Sequence, residues 1–264
     1  MTLAADLRAA YDVAGALWAQ GPSRVYGALA EPLLAAAGDV RDLRALDVGT
    51  GSGVVAALLG ARGARVVGAD ASWGMLRHEA EHRCPGVVGD IRALPFRDAS
   101  CDVVTAAFVL NHLHSPEEGL RELGRVAGPG GRVLTTTFGG DPTHPVKSVV
   151  DDVAARHGFR PPEWYVTVKR ETLQLLSTRA ATAEAAAAAG LSDVVVEVET
   201  VHAALTAQDL VEWRLGMAHL AEFTLDLPAD RRDALRDEAI SALGAVTPLE
   251  LDVVVLQASG RQAV

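Results

Sequence analysis

The stretch Ala45-Leu46-Asp47-Val48-Gly49-Thr50-Gly51-Ser52-Gly53 carries a short apolar strand into a glycine-rich turn, and Val54 to Leu59 continues it as a helix. Glycines at alternate positions allow positive φ and remove the Cβ atoms that would hold a bound molecule off the backbone. The helix that follows presents unpaired N–H groups. This is a cofactor-binding turn, but not the dinucleotide fingerprint: the third glycine of G-x-G-x-x-G would fall at position 54, which is Val54. Asp47, just ahead of the turn, would repel a pyrophosphate and welcome a cationic, amine-bearing ligand. The residues therefore point away from NAD.

The next elements repeat one plan. Ala64 to Asp70 reads as a second buried strand ending in a carboxylate, spaced from the glycines as a βαβ unit requires, and Asp70 is able to accept from both hydroxyls of a ribose. Gly86 to Gly89 delivers Asp90, and Asp102 to Phe108 forms a fourth strand. In an open parallel sheet, ligands bind at the carboxyl ends of the strands, so Asp47, Asp70 and Asp90 should converge on one ligand. A fifth strand, Arg132 to Thr137, follows the turn Gly128-Pro129-Gly130-Gly131, and strands at Asp193 to Val198 and Leu251 to Gln257 close the pattern.

Helices are expected at Leu3 to Gln20, Val25 to Ala37, Val146 to His157 and Arg179 to Ala189, the last an alanine-rich run that favours helix over disorder. From Ala207 to Phe223 a helical period puts Leu210, Trp213, Met217 and Leu220 on one face. The expected fold is a single α/β domain over 1–264: a Rossmann-like, doubly wound, mainly parallel seven-stranded sheet with a terminal antiparallel strand. The expected divisions are N-terminal helices at 1–40, a cofactor-binding core at 44–138, and cap insertions at 139–177 and 203–248.

Charge narrows the ligand classes. With 24 Lys and Arg against 34 Asp and Glu, the net charge of -10 disfavours a polyanionic substrate, because Lys and Arg supply most of nucleic-acid affinity. Nucleic acid is not an expected partner. Neither is a membrane: the sequence has no apolar run of spanning length, and Met1 to Asp6 lacks the plan of a secretion signal, so a cytoplasmic location is expected. Cys84 and Cys101 match no metal-ligand spacing; no metal is expected, and both thiols read as reduced and structural. A small molecule is the expected partner, and a homodimer stays open.

Taken together, four ordered blocks resemble the class I S-adenosylmethionine-dependent methyltransferases, most closely the methyltransferase 11-like group. The blocks are Leu46 to Gly53, Gly68 to Leu76, Gly89 to Asp98, and Asn111 to Leu113 with Leu120 to Gly131. The resemblance implies S-adenosyl-L-methionine as cofactor. It implies that Gly49, Gly51 and Gly53, with Thr50, admit the methionine part, that Asp70 and Ala71 hold the ribose, and that Asp90 accepts from the adenine amino group. Ile91 and Met75 would sandwich the adenine ring, with Ala107 and Tyr26 completing the site. Relatives commonly fold an N-terminal segment over the methionine end, which implies that the helices of 1–40, with Tyr11, Trp18, Arg24 and Tyr26, lie over the cofactor.

For the reaction, the candidate base is His112, which follows the fourth strand and belongs to a residue type with a pKa near working pH; Asn111 and His114 flank it. Methyl transfer also proceeds by alignment and desolvation alone. Candidate substrate contacts are Trp164, Tyr165, Trp213, Met217, His219 and Phe223, in the two insertions of a chain with 5% aromatic residues. The expected acceptor is a small apolar or aromatic metabolite, with bacterial secondary metabolism suggested by the alanine- and arginine-rich composition. Two other readings stay open: a non-methylating step such as cyclisation on the same fold, and a cofactor-sensing binding protein.

Overall fold

The computed structural model describes residues 3–78, 84–140, 144–244 and 249–260. Residues 141–143 and 245–248, within the two expected insertions, lie outside the described residues. The chain begins with three helices, α1 (Leu3–Gln20), α2 (Pro22–Leu29) and α3 (Glu31–Ala37), and then alternates. β1 (Arg44–Val48), α4 (Val54–Ala61), β2 (Arg65–Asp70), α5 (Trp73–Arg77) and β3 (Gly86–Val88) form one half. β4 (Val103–Ala107), α6 (Pro116–Ala127) and β5 (Arg132–Phe138) begin the other. After β5 come α7 (Pro145–Arg156), α8 (Glu163–Glu171), α9 (Arg179–Ala188), β6 (Ser192–Ala203), α10 (Ala207–Leu215), α11 (Ala218–Asp226), α12 (Ala229–Leu243) and β7 (Leu249–Ser259).

The described strands form one seven-stranded sheet in the order β3-β2-β1-β4-β5-β7-β6. β1 to β5 pair in parallel, and β7 runs antiparallel to both of its neighbours, β5 and β6. The antiparallel strand is thus last in sequence but lies inside the sheet. Central strands are apolar on both faces, as parallel strands covered by helices must be. Leu46, Val104 and Val133 face a core shared with α6 and α9, whereas Ala45, Val103 and Leu134 face one shared with α3 and α4.

Local chemistry sets the element ends. Pro116 starts α6, Glu117 and Glu118 in its first turn complement the helix dipole, and Gly128 at φ 68 ends it. Two elements differ from the sequence expectation. The run Val25 to Ala37 is two helices, broken at Ala30 ahead of Pro32, whose missing N–H fits the first turn of α3 but not a helix interior. The run Ala207 to Phe223 is also two helices, because Gly216 ends α10 and Met217 is in extended conformation at the start of α11. Both breaks let the chain wrap around the carboxyl edge of the sheet.

A separate helical core covers that edge. Val150, Val153, Phe159, Val211, Leu215, Leu220 and Leu235, from α7, α10, α11, α12 and the segment after α7, pack together. Among the described residues, no helix is long and apolar enough to cross a membrane.

Candidate functional site

The strand order reverses between β1 and β4, and the loops leaving this switch point line a cavity of about 290 Å³. The glycine turn forms its floor. Gly49, at φ 65, lies so close to Val109 that a Cβ would sit 2.2 Å from the Val109 Cγ2. Gly51, at φ 55, faces Met75 Cε at 3.0 Å and Trp18 Nε1 at 3.7 Å. Gly53, at φ 90, precedes α4 and does not line the cavity; its role is to turn the chain into the helix.

Asp47 is buried behind this turn. Its Oδ1 accepts from the Thr105 hydroxyl at 2.8 Å, while its Oδ2 and the Thr50 Oγ1 are buried without a hydrogen-bond partner. Burial pushes the Asp47 carboxyl up to about 6, with the neighbouring Thr50 and Thr105 hydroxyls working against the shift.

Asp70 accepts from the Gly51 N–H at 2.9 Å and the Ser72 N–H at 2.8 Å, so it ties the glycine turn to the β2 tip while lining the cavity. Ala71, Met75, Ile91, Ala107 and Tyr26 line the same space. Asp90 does too, but carries a local partner: Arg92 Nη2 donates to its Oδ2 at 2.6 Å, and that guanidinium holds the carboxyl below its ordinary range.

The N-terminal helix closes the cavity. Leu3, Leu7, Arg8 and Tyr11 of α1 line it, and α1 crosses α5 at a glycine pair. A Cβ on Gly15 would meet Gly74 O at 2.4 Å, and one on Gly74 would meet Asp12 O at 2.1 Å. The close approach lets Asp12 Oδ1 accept from Ser72 Oγ and the Gly74 N–H, both at 2.7 Å. Asp12 was not singled out from sequence, since nothing local marks a carboxylate that caps a distant helix. Arg24 does not line the cavity and instead pairs with Asp209 at 2.6 Å.

A second cavity of about 120 Å³ adjoins the first, under α7, α8, α10 and α11. Tyr11, Tyr26, Phe108 and His112 line both. Their rings belong to a ladder running Tyr11–Trp18 (5.4 Å between centroids), Trp18–Tyr26 (5.2 Å, stacked), Tyr26–Phe108 (5.3 Å) and Phe108–Phe138 (4.6 Å). Phe108 has φ 58 at the tip of β4, a conformation that costs a bulky residue energy and is concentrated at functional sites. The sequence carries no signal for it.

Five of the six candidate substrate contacts, Trp164, Tyr165, Trp213, Met217 and His219, line the second cavity. Phe223 does not: its ring lies tilted against Phe159 with centroids 5.4 Å apart and packs in the helical core, because the break at Gly216 turns α11 away from the line of α10. Tyr165 stacks flat on His219 at 3.8 Å. Arg214, 3% exposed, donates to Asp151 through Nε at 2.9 Å and Nη2 at 2.7 Å, and to Tyr165 Oη at 3.1 Å. That ion pair is absent from the sequence reading because α7 and α10 lie far apart in the chain.

His112 follows β4 in a short 3-10 turn, Leu110–His112, and its Nε2 shares a hydrogen bond of 3.0 Å with Tyr11 Oη. Its Nδ1 is buried without a partner. Burial pulls the imidazole down to about 4, below the range expected from its residue type, so the ring is neutral at neutral pH. Asn111 is buried beside it and its carbonyl accepts from Thr172 Oγ1 at 2.7 Å. His114 is exposed, 3.8 Å from Glu171.

Parts of this chain resemble known proteins. Residues 46–135 match the family profile described as "Methyltransferase domain". The chain is 41% identical over 107 residues to the demethylmenaquinone methyltransferase of Mycolicibacterium gilvum, covering 40% of this chain and 46% of that protein. It is 36% identical over 151 residues to the enzyme of that name from Clavibacter sepedonicus, covering 55% and 60%. The chain spans about half the length of the curated relatives it matches. Among solved structures, it resembles the Haemonchus contortus phosphoethanolamine N-methyltransferase 2 bound to S-adenosylhomocysteine, with a TM-score of 0.53 and 22% identity over 88% of this chain and 53% of that one. At that identity the likeness establishes the fold. Residues 46–135, which build much of the switch-point cavity, are the part of the chain that matches the methyltransferase domain family.

Proposed function

We propose that the protein is an S-adenosyl-L-methionine-dependent methyltransferase whose acceptor is a small molecule with an aromatic or apolar body, bound in the second cavity. The observation that carries this reading is the pair of adjoining cavities sharing a wall of Tyr11, Tyr26, Phe108 and His112. One cavity has the family's cofactor turn as its floor, and the other is lined by the aromatic side chains of the two insertions. In this reading the helices of 1–40 and the insertions at 139–177 and 203–248 are the cap of a single domain.

The residues fit the cofactor. The Gly51 surface is one that a Cβ would fill, and the buried, unpartnered Asp47 Oδ2 and Thr50 Oγ1 are polar atoms suited to an amino-acid moiety. S-adenosyl-L-methionine, when bound, supplies a methyl group made electrophilic by its sulfonium. Asp47, Gly49, Thr50 and Gly51 would hold the methionine part, Asp70 and Ala71 the ribose, and Asp90, Ile91 and Met75 the adenine, with Ala107 and Tyr26 closing the wall. Gly53 serves by shaping the turn.

The chain's own contribution is to align two reactants and exclude water. The aromatic wall keeps water from the reacting centre, and effective molarity with desolvation supplies most of the acceleration such a transfer needs. His112 enters as a neutral ring held by Tyr11. With a pKa pulled to about 4 it is a weak base, and its part is to orient the acceptor. The relatives' name, demethylmenaquinone methyltransferase, supports a cyclic, largely apolar acceptor. A secondary metabolite made in a bacterial cytoplasm is the setting that composition favours.

Calorimetry with S-adenosylmethionine and with NAD tests the cofactor. Saturable binding of the first and none of the second is expected, and the reverse would overturn the reading. An acceptor screen with isotopically labelled cofactor, read by product mass, tests the reaction. A product carrying the labelled methyl supports transfer, whereas conversion of an acceptor without added mass would favour a non-methylating step.

A further inference from the structure

The N-terminal helix is tied down at two consecutive residues, one on each side of the switch point. Tyr11 shares its hydrogen bond with His112, in the turn after β4, while Asp12 reaches α5, the helix after β2. A single Asp12 oxygen, Oδ1, accepts from the Ser72 hydroxyl and from the Gly74 N–H, both at 2.7 Å. The two helices cross so closely there that a Cβ on Gly15 or on Gly74 would collide with the other helix's backbone. Short bonds of this kind to a carboxylate belong to the stronger class of hydrogen bond.

Asp12 does not line the first cavity, yet a single residue links it to two that do. That residue is Ser72, 1% exposed. A carboxylate only accepts, so the Ser72 hydroxyl proton is committed to Asp12 and its oxygen is turned to the Met75 N–H, which donates at 3.0 Å. The Ser72 N–H donates to Asp70 Oδ1 at 2.8 Å, and the Gly51 N–H donates to Asp70 Oδ2 at 2.9 Å. The bonds therefore run from α1 through Ser72 to the carboxylate at the tip of β2, and from the same hydroxyl to the first turn of α5. A group that contacts a ligand has to be held within about 0.5 Å of its productive place, and that requires its own neighbours to be locked.

We propose that Asp12 is a positioning residue for the cofactor: docked across α5, it fixes Ser72, and through Ser72 it sets Asp70 against the ribose hydroxyls and Met75 against the adenine. This rests on the methyltransferase reading of the first cavity. Asp12 touches neither the cofactor nor the acceptor. Its part is to make the placement of Asp70 depend on α1 being seated, so that covering the cavity and ordering its ribose contact are one event.

Calorimetry on the intact protein tests this with S-adenosylhomocysteine and its 2′-deoxyribose analogue, which differ by one hydroxyl. The wild type should bind the first about tenfold or more tightly, the size of one hydrogen bond to a charged group. Asp12→Ala should cut that preference to about threefold or less, with affinity for the deoxy analogue falling less than that for the parent, because Asp70 is no longer held in place. Asp12→Asn, whose amide oxygen accepts the same two bonds, should restore most of the preference. Ser72→Ala removes the link itself and should act like Asp12→Ala, which keeps the test open if Asp12→Ala folds poorly. In an Asp70→Asn background, adding Asp12→Ala should change the preference little. A merely structural role predicts another pattern, in which both ligands weaken by the same factor and the preference stays intact. That pattern, a wild type without the preference, or a loss that Asp12→Asn does not repair would each overturn the proposal. Binding of S-adenosylhomocysteine with any of those results leaves the methyltransferase reading standing, whereas its failure to bind the wild type at all defeats that reading itself.

Discussion

Two residues of the site titrate in opposite senses, and their shifts fix a pH dependence. Asp47 is raised from 3.8 to about 6, so between about pH 4 and 6 the folded protein holds this proton more tightly than the unfolded chain does. Its contribution to stability is present below pH 4 and is lost as pH rises through 6. His112 is lowered from 6.5 to about 4, so its contribution is present above pH 6.5 and is lost as pH falls through 4. In the shared window the two oppose each other, and His219, also pushed low by burial, acts in the sense of His112. Asp47→Asn should therefore steepen the rise of stability between pH 4 and 6.5, and His112→Phe should flatten or reverse it, each by about 1–3 kcal/mol in urea unfolding. Profiles that both follow the wild type would mean that neither group is shifted. Asp47 was legible in the sequence from its place before the glycines. Its burial beside Thr105 of β4, and the drop in the His112 pKa where Tyr11 of α1 packs on the ring, were not, because both depend on elements distant in the chain.

At the scale of elements, the contact that decides the site is the crossing of α1 over α5. It depends on glycine at two positions, since a Cβ on Gly74 would stand 2.1 Å from Asp12 O and 2.3 Å from Asp12 Cα. Gly74→Ala should push α1 outward, weaken the Asp12 contacts with Ser72 and the Gly74 N–H, and cost about 1–3 kcal/mol of stability. S-adenosylmethionine affinity should fall, and amide exchange over 3–20 should speed up. Gly60→Ala is the control: a Cβ there meets nothing within 4 Å, and in α4 it should leave affinity unchanged and gain up to about 1 kcal/mol. Equal affinities for the two variants would mean that α1 has no part in the site. Trp213, 1% exposed in the core, is a poor probe of the second cavity, because Trp213→Ala would lose about 3–5 kcal/mol of packing; half-buried Trp164 is the better one.

At the scale of the whole molecule, the first cavity gathers residues from α1, α2, α5 and the ends of β1, β2 and β4, so a ligand there bridges elements distant in sequence. A ligand that binds only the folded state adds about 2.7 kcal/mol at 100 times its Kd, which for a chain of this size raises Tm by roughly 5–10 °C. Scanning calorimetry with S-adenosylhomocysteine should show that shift, and NAD at equal concentration should show none. An unmoved Tm at saturating ligand would mean that the cavity does not hold it.

The sequence alone determined the frame. Strand and helix periods, the glycine turn and the carboxylates at the ends of successive strands are local patterns, and backbone geometry converts them directly into a parallel sheet with its binding edge at the switch point. That is why Gly49, Gly51, Asp70 and Met75 were readable as neighbours of one cavity before any fold was drawn. Tertiary structure alone decided what closes over the frame. The αL backbone of Phe108, the turn of α11 that withdraws Phe223, the Asp151–Arg214 pair and the Asp12 bonds to Ser72 and Gly74 all arise from contacts between elements far apart in the chain. Such contacts are chosen by packing, which minimises voids and unpaired charge over the whole molecule, and no local period encodes that choice.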